Sequence, residues 1–245
     1  MSWNTFPLIL EWAKDVTPGV RHFAFRRADK EKLEFKAGQF INIHFDRDGK
    51  KTHRSYSIAN TPGESELIEI AIAPIEGGLA TVRLFGMQPG DMLEASGPYG
   101  RFVLRDDPAC RYVLIATGTG VTPYRSMLPE IRERLNSGEC SVELFLGVRD
   151  QSELLFGDDF VQMAANHERF QFTACYSRGM PAEPGSWERE GYVQKNLGGL
   201  GLDAETDIIY LCGNPDMVDD ATELLKEVGF GIRQIRREKY LPARN

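Results

Sequence analysis

The sequence is poor in the residues that bind metals or cross-link chains. Its four cysteines, Cys110, Cys140, Cys175 and Cys212, are widely scattered, which excludes a C-x-x-C metal or redox motif and a C-x4-C-x2-C iron–sulfur run. The four histidines, His22, His44, His53 and His167, show no H-E-x-x-H spacing. Neither a metal site nor an iron–sulfur cluster is therefore expected. No apolar run approaches the ~18 residues of a spanning helix. The opening MSWNTFPLILEWAKD lacks the basic start and small-residue cleavage site of a secretory signal. A cytoplasmic location without a membrane partner is the expectation. A basic surplus is missing too: the net charge of −7 argues against nucleic-acid binding. The exception is local. Arg233, Arg236, Arg237, Lys239 and Arg244 stand against the single acid Glu238 near the end of the chain, a cluster that suits either an acidic partner or a solvated end.

What is present reads as two textures. Up to about residue 106 the pattern has period two, in FINIHFD at 40–46, SYSIAN at 55–60, LIEIAIAP at 67–74 and DMLEAS at 91–96. Turn residues such as Pro62-Gly63, Gly77-Gly78 and Pro89-Gly90 separate these stretches, which predicts an antiparallel sheet or small barrel. The helix-like GLATVRLFGM at 78–87 interrupts it. After Asp107 come short unbroken apolar runs, YVLIA at 112–116, VELFLG at 142–147, FQFTACY at 170–176 and IIYLC at 208–212. Helical candidates at 123–136, 157–166 and 215–228 lie between them, so this half predicts alternating β and α around a buried parallel sheet. The expected domains are 1–107 and 108–245.

Ligands of open parallel sheets bind beyond the carboxyl ends of the strands. That rule selects Gly118 to Pro123, Gly147 to Asp150, Ser177-Arg178 and Gly213 to Met217. In the first loop, glycines 118 and 120 let backbone N–H groups approach an anion, while Thr122 is a natural N-cap and Pro123 a natural first helical residue. Pro123 stands where a G-x-G-x-x-G fingerprint has its third glycine, and a lone G-x-G is commonly no more than a tight turn. Pro129 is expected to kink or end the helix. Upstream, alternation sends Arg54 and Tyr56 to one face of a strand and Ser55 and Ser57 to the other. They offer a cation for phosphate, an aromatic plane for a flat ligand and hydroxyls for ring nitrogens.

In this order and on these elements, Arg54-Ser55-Tyr56-Ser57, Gly97-Pro98-Tyr99-Gly100-Arg101-Phe102, Gly118-Thr119-Gly120-Val121-Thr122-Pro123 and Cys212-Gly213-Asn214-Pro215-Asp216-Met217 resemble a ferredoxin–NADP reductase of the bacterial type, also called flavodoxin reductase. The resemblance runs from the first strands to about Tyr240. It implies an FAD-binding antiparallel barrel followed by an NADP-binding α/β domain. Arg54, Ser55, Tyr56 and Ser57 would hold the flavin and its phosphate, with Ile70, Ala71, Ile72 and Ala73 lining it. Gly78, Leu79, Ala80 and Thr81 would open a short helix toward the pyrophosphate.

On the nucleotide side the resemblance implies Gly118, Thr119 and Gly120 near the nicotinamide and pyrophosphate, flanked by Gly213, Asn214, Pro215, Asp216 and Met217. Arg149, Ser177, Arg178 and Tyr192 would meet a ribose 2′-phosphate and favour NADP(H) over NAD(H); Glu190 departs from the pattern, standing where a base is often found. Ser57 would hydrogen-bond near flavin N5, Cys212 would pack beside the nicotinamide, Glu238 would relay a proton and Tyr240 would cover the flavin face. The implied activity is hydride exchange between NADP(H) and bound FAD, with single electrons passing to a separate ferredoxin or flavodoxin, from a monomeric enzyme. The alternatives are the reductase component of an oxygenase, a free-flavin reductase, or a non-catalytic nucleotide-binding protein that keeps the fold.

Overall fold

The computed structural model describes residues 4–47, 49–107 and 110–241; Arg244 of the basic cluster lies outside them. Two compact units emerge, one taking the chain as far as Leu104 together with Thr122–Met127, the other formed by Arg105–Val121 and Leu128–Leu241.

The first unit is a six-stranded antiparallel sheet with strand order β4-β3-β6-β1-β2-β5. Its strands are β1 (Phe6–Thr17), β2 (Val20–Arg27), β3 (Phe40–Arg47), β4 (Lys50–Ser57), β5 (Ile68–Ile72) and β6 (Met92–Tyr99), with the helix α1 (Leu79–Phe85) before β6. A bridge from Ile58, just past β4, to Ile70 in β5 brings the two edges of the sheet together, giving the barrel-like closure that removes exposed edges. Leu8, Leu10, Phe23, Phe25, Ile41, Ile43, Ile58, Ile68 and Ile70 fill its core, spaced two apart on β1, β2, β3 and β5 as side chains on one face must be. The strand expected at 55–60 instead spans 50–57. Lys50 to Arg54 carry no apolar alternation, yet they pair with Ile43 to Arg47 across the hairpin. Within this unit Ser126 Oγ donates to the Asn60 carbonyl at 2.8 Å and Arg125 Nη1 to the Ala59 carbonyl at 3.0 Å. These bonds fix the turn immediately after Ser57.

The second unit is a parallel sheet of order β10-β9-β8-β7-β11-β12, made of β7 (Cys110–Thr117), β8 (Cys140–Asp150), β9 (Phe170–Gly179), β10 (Glu188–Glu190), β11 (Asp207–Gly213) and β12 (Ile235–Lys239). The connecting helices are α2 (Thr122–Ser137), α3 (Gly157–Asn166) and α4 (Pro215–Glu227). Val113, Ile115, Ile209 and Leu211 on the central strands join Val218, Ala221 and Leu225 of α4 in one buried cluster. Burial on both faces explains why these strands read as continuous apolar runs.

Two local expectations are corrected. Residues Gly118–Val121 already form a 3-10 turn, so the backbone is helical before Thr122; Val121 takes the cap position, Thr122 is the first helical residue and Pro123 the second, and no side chain caps the end. Nor does Pro129 end α2, which continues to Ser137. The proline removes one N–H donor, while Met127, Ile131 and Leu135 remain buried along the helix and hold it in place.

Candidate flavin and nucleotide sites

In the first unit, the ladder sets Arg54 opposite Ile43 and Tyr56 opposite Ile41, so the cation and the aromatic ring share a face as alternation requires. Arg54 Nη1 donates to the His53 carbonyl at 2.7 Å and to Thr52 Oγ1 at 3.4 Å. A guanidinium has five N–H donors; local bonds of this kind leave most of the fork available to an anion, which fits a flavin pyrophosphate. Tyr56 packs against the core, and burial pushes its hydroxyl up to about 12 against the opposing pull of Arg54, so the ring acts as a neutral plane. Ser57 is buried. Ser55 is exposed and donates to Asn42 Oδ1 at 2.7 Å.

Ile70, Ala71 and Ile72 are buried in β5, whereas Ala73 lies past the end of the strand and is exposed. Gly78 caps α1. Thr81 Oγ1 accepts the Ile75 N–H at 2.9 Å, closing the loop before the helix, while Ala80 faces the core and Leu79 packs against it. Beside α1 opens a cavity of about 720 Å³ lined by Leu79 and by residues that sequence reasoning passed over, among them His44, Lys51, Arg83 and Glu94.

In the second unit, the chain runs from β7 outward through β8, β9 and β10, then returns to place β11 on the other side of β7. The crevice at such a reversal is where open α/β sheets bind ligands. Its walls are the loops after β7 and β11. Gly118 has φ +52° with open space where a side chain would project, leaving the backbone accessible. Thr119 beside it is half-buried. Gly120 is the opposite case: a Cβ there would lie 2.3 Å from the Cys212 carbonyl oxygen and 2.7 Å from Gly213 Cα. Gly213, at φ +126°, would put a Cβ 2.5 Å from Thr117 Oγ1. Only glycine lets the two loops approach so closely.

Thr117 Oγ1 accepts the Asn214 N–H at 2.9 Å. Asn214 Oδ1 in turn caps α4 by accepting from Asp216 N at 2.8 Å and Met217 N at 3.3 Å, with Pro215 at the first helical position and Met217 buried. Cys212 is fully buried. Burial foremost, and then the Glu238 carboxylate, raise its thiol well above the usual range, against a hydrogen bond from Tyr240, so it stays a neutral thiol. Glu238 stands opposite Cys212 on the ladder, and Tyr240 N donates to the Gly213 carbonyl at 2.8 Å. Together, Cys212, Glu238 and Tyr240 converge on the β11 loop.

Farther along the sheet, Ser177 Oγ donates to the Val148 carbonyl at 3.3 Å, Arg178 is exposed and Tyr192 is 57% exposed. Arg189 Nη1 donates to the Ser186 and Glu188 carbonyls, and Glu190 is exposed. Arg149 is paired: its Nε donates to Glu153 Oε2 at 2.9 Å, and its Nη2 lies 2.7 Å from Glu153 Oε1. On the nucleotide side, Thr117 and Glu153 are the residues that sequence reasoning missed. Glu153 carried a legible signal, a carboxylate four residues after an arginine; Thr117 carried none, because its partner is 97 residues away. Among the described residues no cluster of histidine, cysteine and carboxylate side chains could hold a metal ion, and no helix is long and apolar enough to cross a membrane.

Residues 7–104 match the oxidoreductase FAD-binding domain and residues 114–223 the oxidoreductase NAD-binding domain. Ferredoxin–NADP reductase B of Sorangium cellulosum is 32% identical over 93% of this chain and 94% of its own length. The chain belongs to the ferredoxin–NADP reductase-like family of FAD- and NAD(P)-binding oxidoreductases. Other family members include the phenol hydroxylase P5 protein of Acinetobacter pittii, 31% identical over 94% of this chain but only 64% of that protein. Among solved structures, a Neisseria gonorrhoeae ferredoxin NADP+ reductase with bound FAD and NADP aligns with a TM-score of 0.83 at 26% identity, covering 97% of this chain and 99% of that one. The Amycolatopsis cytochrome P450 reductase GcoB aligns at 0.84 with 29% identity, covering 98% of this chain and 70% of that one. As a family member the protein is an FAD- and NAD(P)-dependent electron-transfer reductase with an antiparallel flavin domain and a parallel-sheet nucleotide domain.

Proposed function

We propose that the enzyme exchanges hydride between NADP(H) and bound FAD and passes single electrons to a separate ferredoxin or flavodoxin. The observation that carries this reading is the match to a ferredoxin–NADP reductase over 94% of that relative's length. FAD supplies the two-electron to one-electron conversion when bound; the protein binds, orients and shields it. Arg54 would take the pyrophosphate, the neutral Tyr56 ring would lie against the flavin and buried Ser57 would offer it a hydroxyl. The glycine loop and the Asn214-capped loop hold the nicotinamide end of the nucleotide. Hydride transfer needs its reacting atoms about 3–3.5 Å apart, so loop placement matters more than any acid or base. Glu238, half-buried beside the neutral Cys212, would serve as the proton-holding group, and the Tyr240 ring would be the aromatic cover that nicotinamide has to displace. The exposed Arg233, Arg236 and Arg237 suit an acidic carrier.

A second reading, the reductase component of an oxygenase, draws on the phenol hydroxylase P5 protein and GcoB. One experiment separates the two. Anaerobic titration of the purified flavoprotein with NADPH and then NADH, followed by addition of a ferredoxin or a flavodoxin, should show NADPH bleaching the flavin and the carrier reoxidising it. Bleaching by NADH alone, with neither carrier reduced, would favour the oxygenase reading.

A further inference from the structure

Arg149 stands one residue before the carboxyl end of β8. The chain then turns at once: Asp150 Oδ1 accepts from Ser152 N at 2.9 Å and from Ser152 Oγ at 2.6 Å, and a 3-10 turn over Gln151–Glu153 follows. Leu154 N donates to the Gln151 carbonyl at 3.2 Å and Leu155 N to that of Glu153 at 2.8 Å. This turn delivers the Glu153 carboxylate to the guanidinium, and both of its oxygens are engaged, at 2.9 and 2.7 Å. The two side chains are 56% and 25% exposed, so the ion pair sits at a wet surface where a stronger anion can displace it.

A ribose 2′-phosphate and a carboxylate use the same fork of an arginine in the same two-pronged way. Glu153 already fills the Nε/Nη2 edge of Arg149, so a 2′-phosphate must take that edge from it or sit on the remaining N–H donors against the charge of the carboxylate. Around Arg149 the other cations differ in state: Arg189 is bonded to backbone carbonyls, and Arg178 is exposed. We propose that Glu153 is a specificity-determining residue, whose carboxylate occupies the Arg149 guanidinium in place of a nucleotide 2′-phosphate and so narrows the preference for NADPH over NADH. NADPH must open this pair or bind beside the charge of the carboxylate; NADH, with a 2′-hydroxyl, does neither. The proposal rests on the reading that the loops after β8 and β9 receive the 2′ end of the nucleotide.

The test uses the FAD-loaded enzyme and calorimetric titration with adenosine 2′,5′-bisphosphate and with 5′-AMP, alongside kcat/KM for NADPH and NADH. Opening an exposed ion pair accounts for about a two- to fivefold change in affinity. Glu153→Gln should therefore tighten the bisphosphate about two- to fivefold, raise kcat/KM for NADPH by a similar factor and leave 5′-AMP and NADH unchanged. Arg149→Gln should weaken the bisphosphate, and the double variant should behave like Arg149→Gln, an outcome that a purely structural role for Glu153 would not produce. Glu153→Ala carries the same expectation if the glutamine variant fails to fold. Unchanged or weaker bisphosphate binding in Glu153→Gln overturns the proposal while the nucleotide site stands. Failure of the wild-type enzyme to bind either ligand overturns the underlying reading instead.

Discussion

Thr117 carries no charge, yet the nucleotide crevice depends on it. Its hydroxyl fastens the backbone of Asn214, and Asn214 caps the helix that follows, so one oxygen fixes the spacing of both loops. Replacing it with valine keeps the branched shape and removes the acceptor, leaving the Asn214 N–H without its partner. The loss of one such bond corresponds to roughly a three- to tenfold change in affinity. Thr117→Val should raise the Kd for NADP+ by about that factor with FAD retention unchanged, and Thr117→Ser should restore it; equal loss in both variants would assign the effect to packing. The residue scale also shows where sequence reading stopped. Arg54, Ser55, Tyr56 and Ser57 stand out in the sequence as a group because they are consecutive on one strand. Thr117 does not, since its bond crosses from one loop to another distant in sequence, and of the Arg149–Glu153 pair only the arginine stands out in the sequence.

At the scale of elements, runs with one clear periodicity were read close to their true extents, α3 and α4 above all. The failures are places where pairing overrides pattern. Lys50 to Arg54 are strand because β3 lies beside them, and α2 survives Pro129 because its face is buried. The outward face of β3, β4 and β6 holds a second such case. His44 and His53 stand opposite one another on the ladder, their ring centroids 5.9 Å apart, with His44 Nε2 at 2.8 Å from Ser96 Oγ. Both imidazoles have lowered pKa values. Burial comes first for each, reinforced by His53 and Lys51 for His44 against the opposing Glu94, and by Arg54 for His53. Because the folded values are depressed below about 6.5, the stability they contribute is present above that pH and is lost as the pH falls below it. The melting temperature should drop between pH 7 and 5 by a few degrees more, roughly, in the wild type than in His53→Gln; parallel melting curves across that range would rule the pair out as the cause.

For the molecule as a whole, the change from period two to continuous apolar runs announces two architectures, and among the described residues the two units divide after Leu104 with one exchange, the first turns of α2. That exchange could not be read locally, because Arg125 and Ser126 look like ordinary helix residues until their bonds to Ala59 and Asn60 are seen. The uneven charge belongs to this scale too. The net charge is −7, but Arg233, Arg236 and Arg237 are exposed, while Lys239 is tied to Asp219 at 2.6 Å. Long-range attraction between such a patch and an acidic carrier is screened by salt. Exchanging the three arginines for glutamine should flatten the salt dependence of carrier reduction and leave NADPH-driven flavin bleaching intact; an unaltered salt slope would move docking elsewhere.

The strand order of the second sheet also governs its birth. β7 sits at the centre, but its neighbour β11 is translated long afterwards; Arg111 and Asp207, which bond across the two strands, are 96 residues apart, and β12 follows later still. Such long-range pairing folds slowly. On the ribosome, β1 to β6 are complete while the nucleotide crevice still lacks the wall that β11 brings.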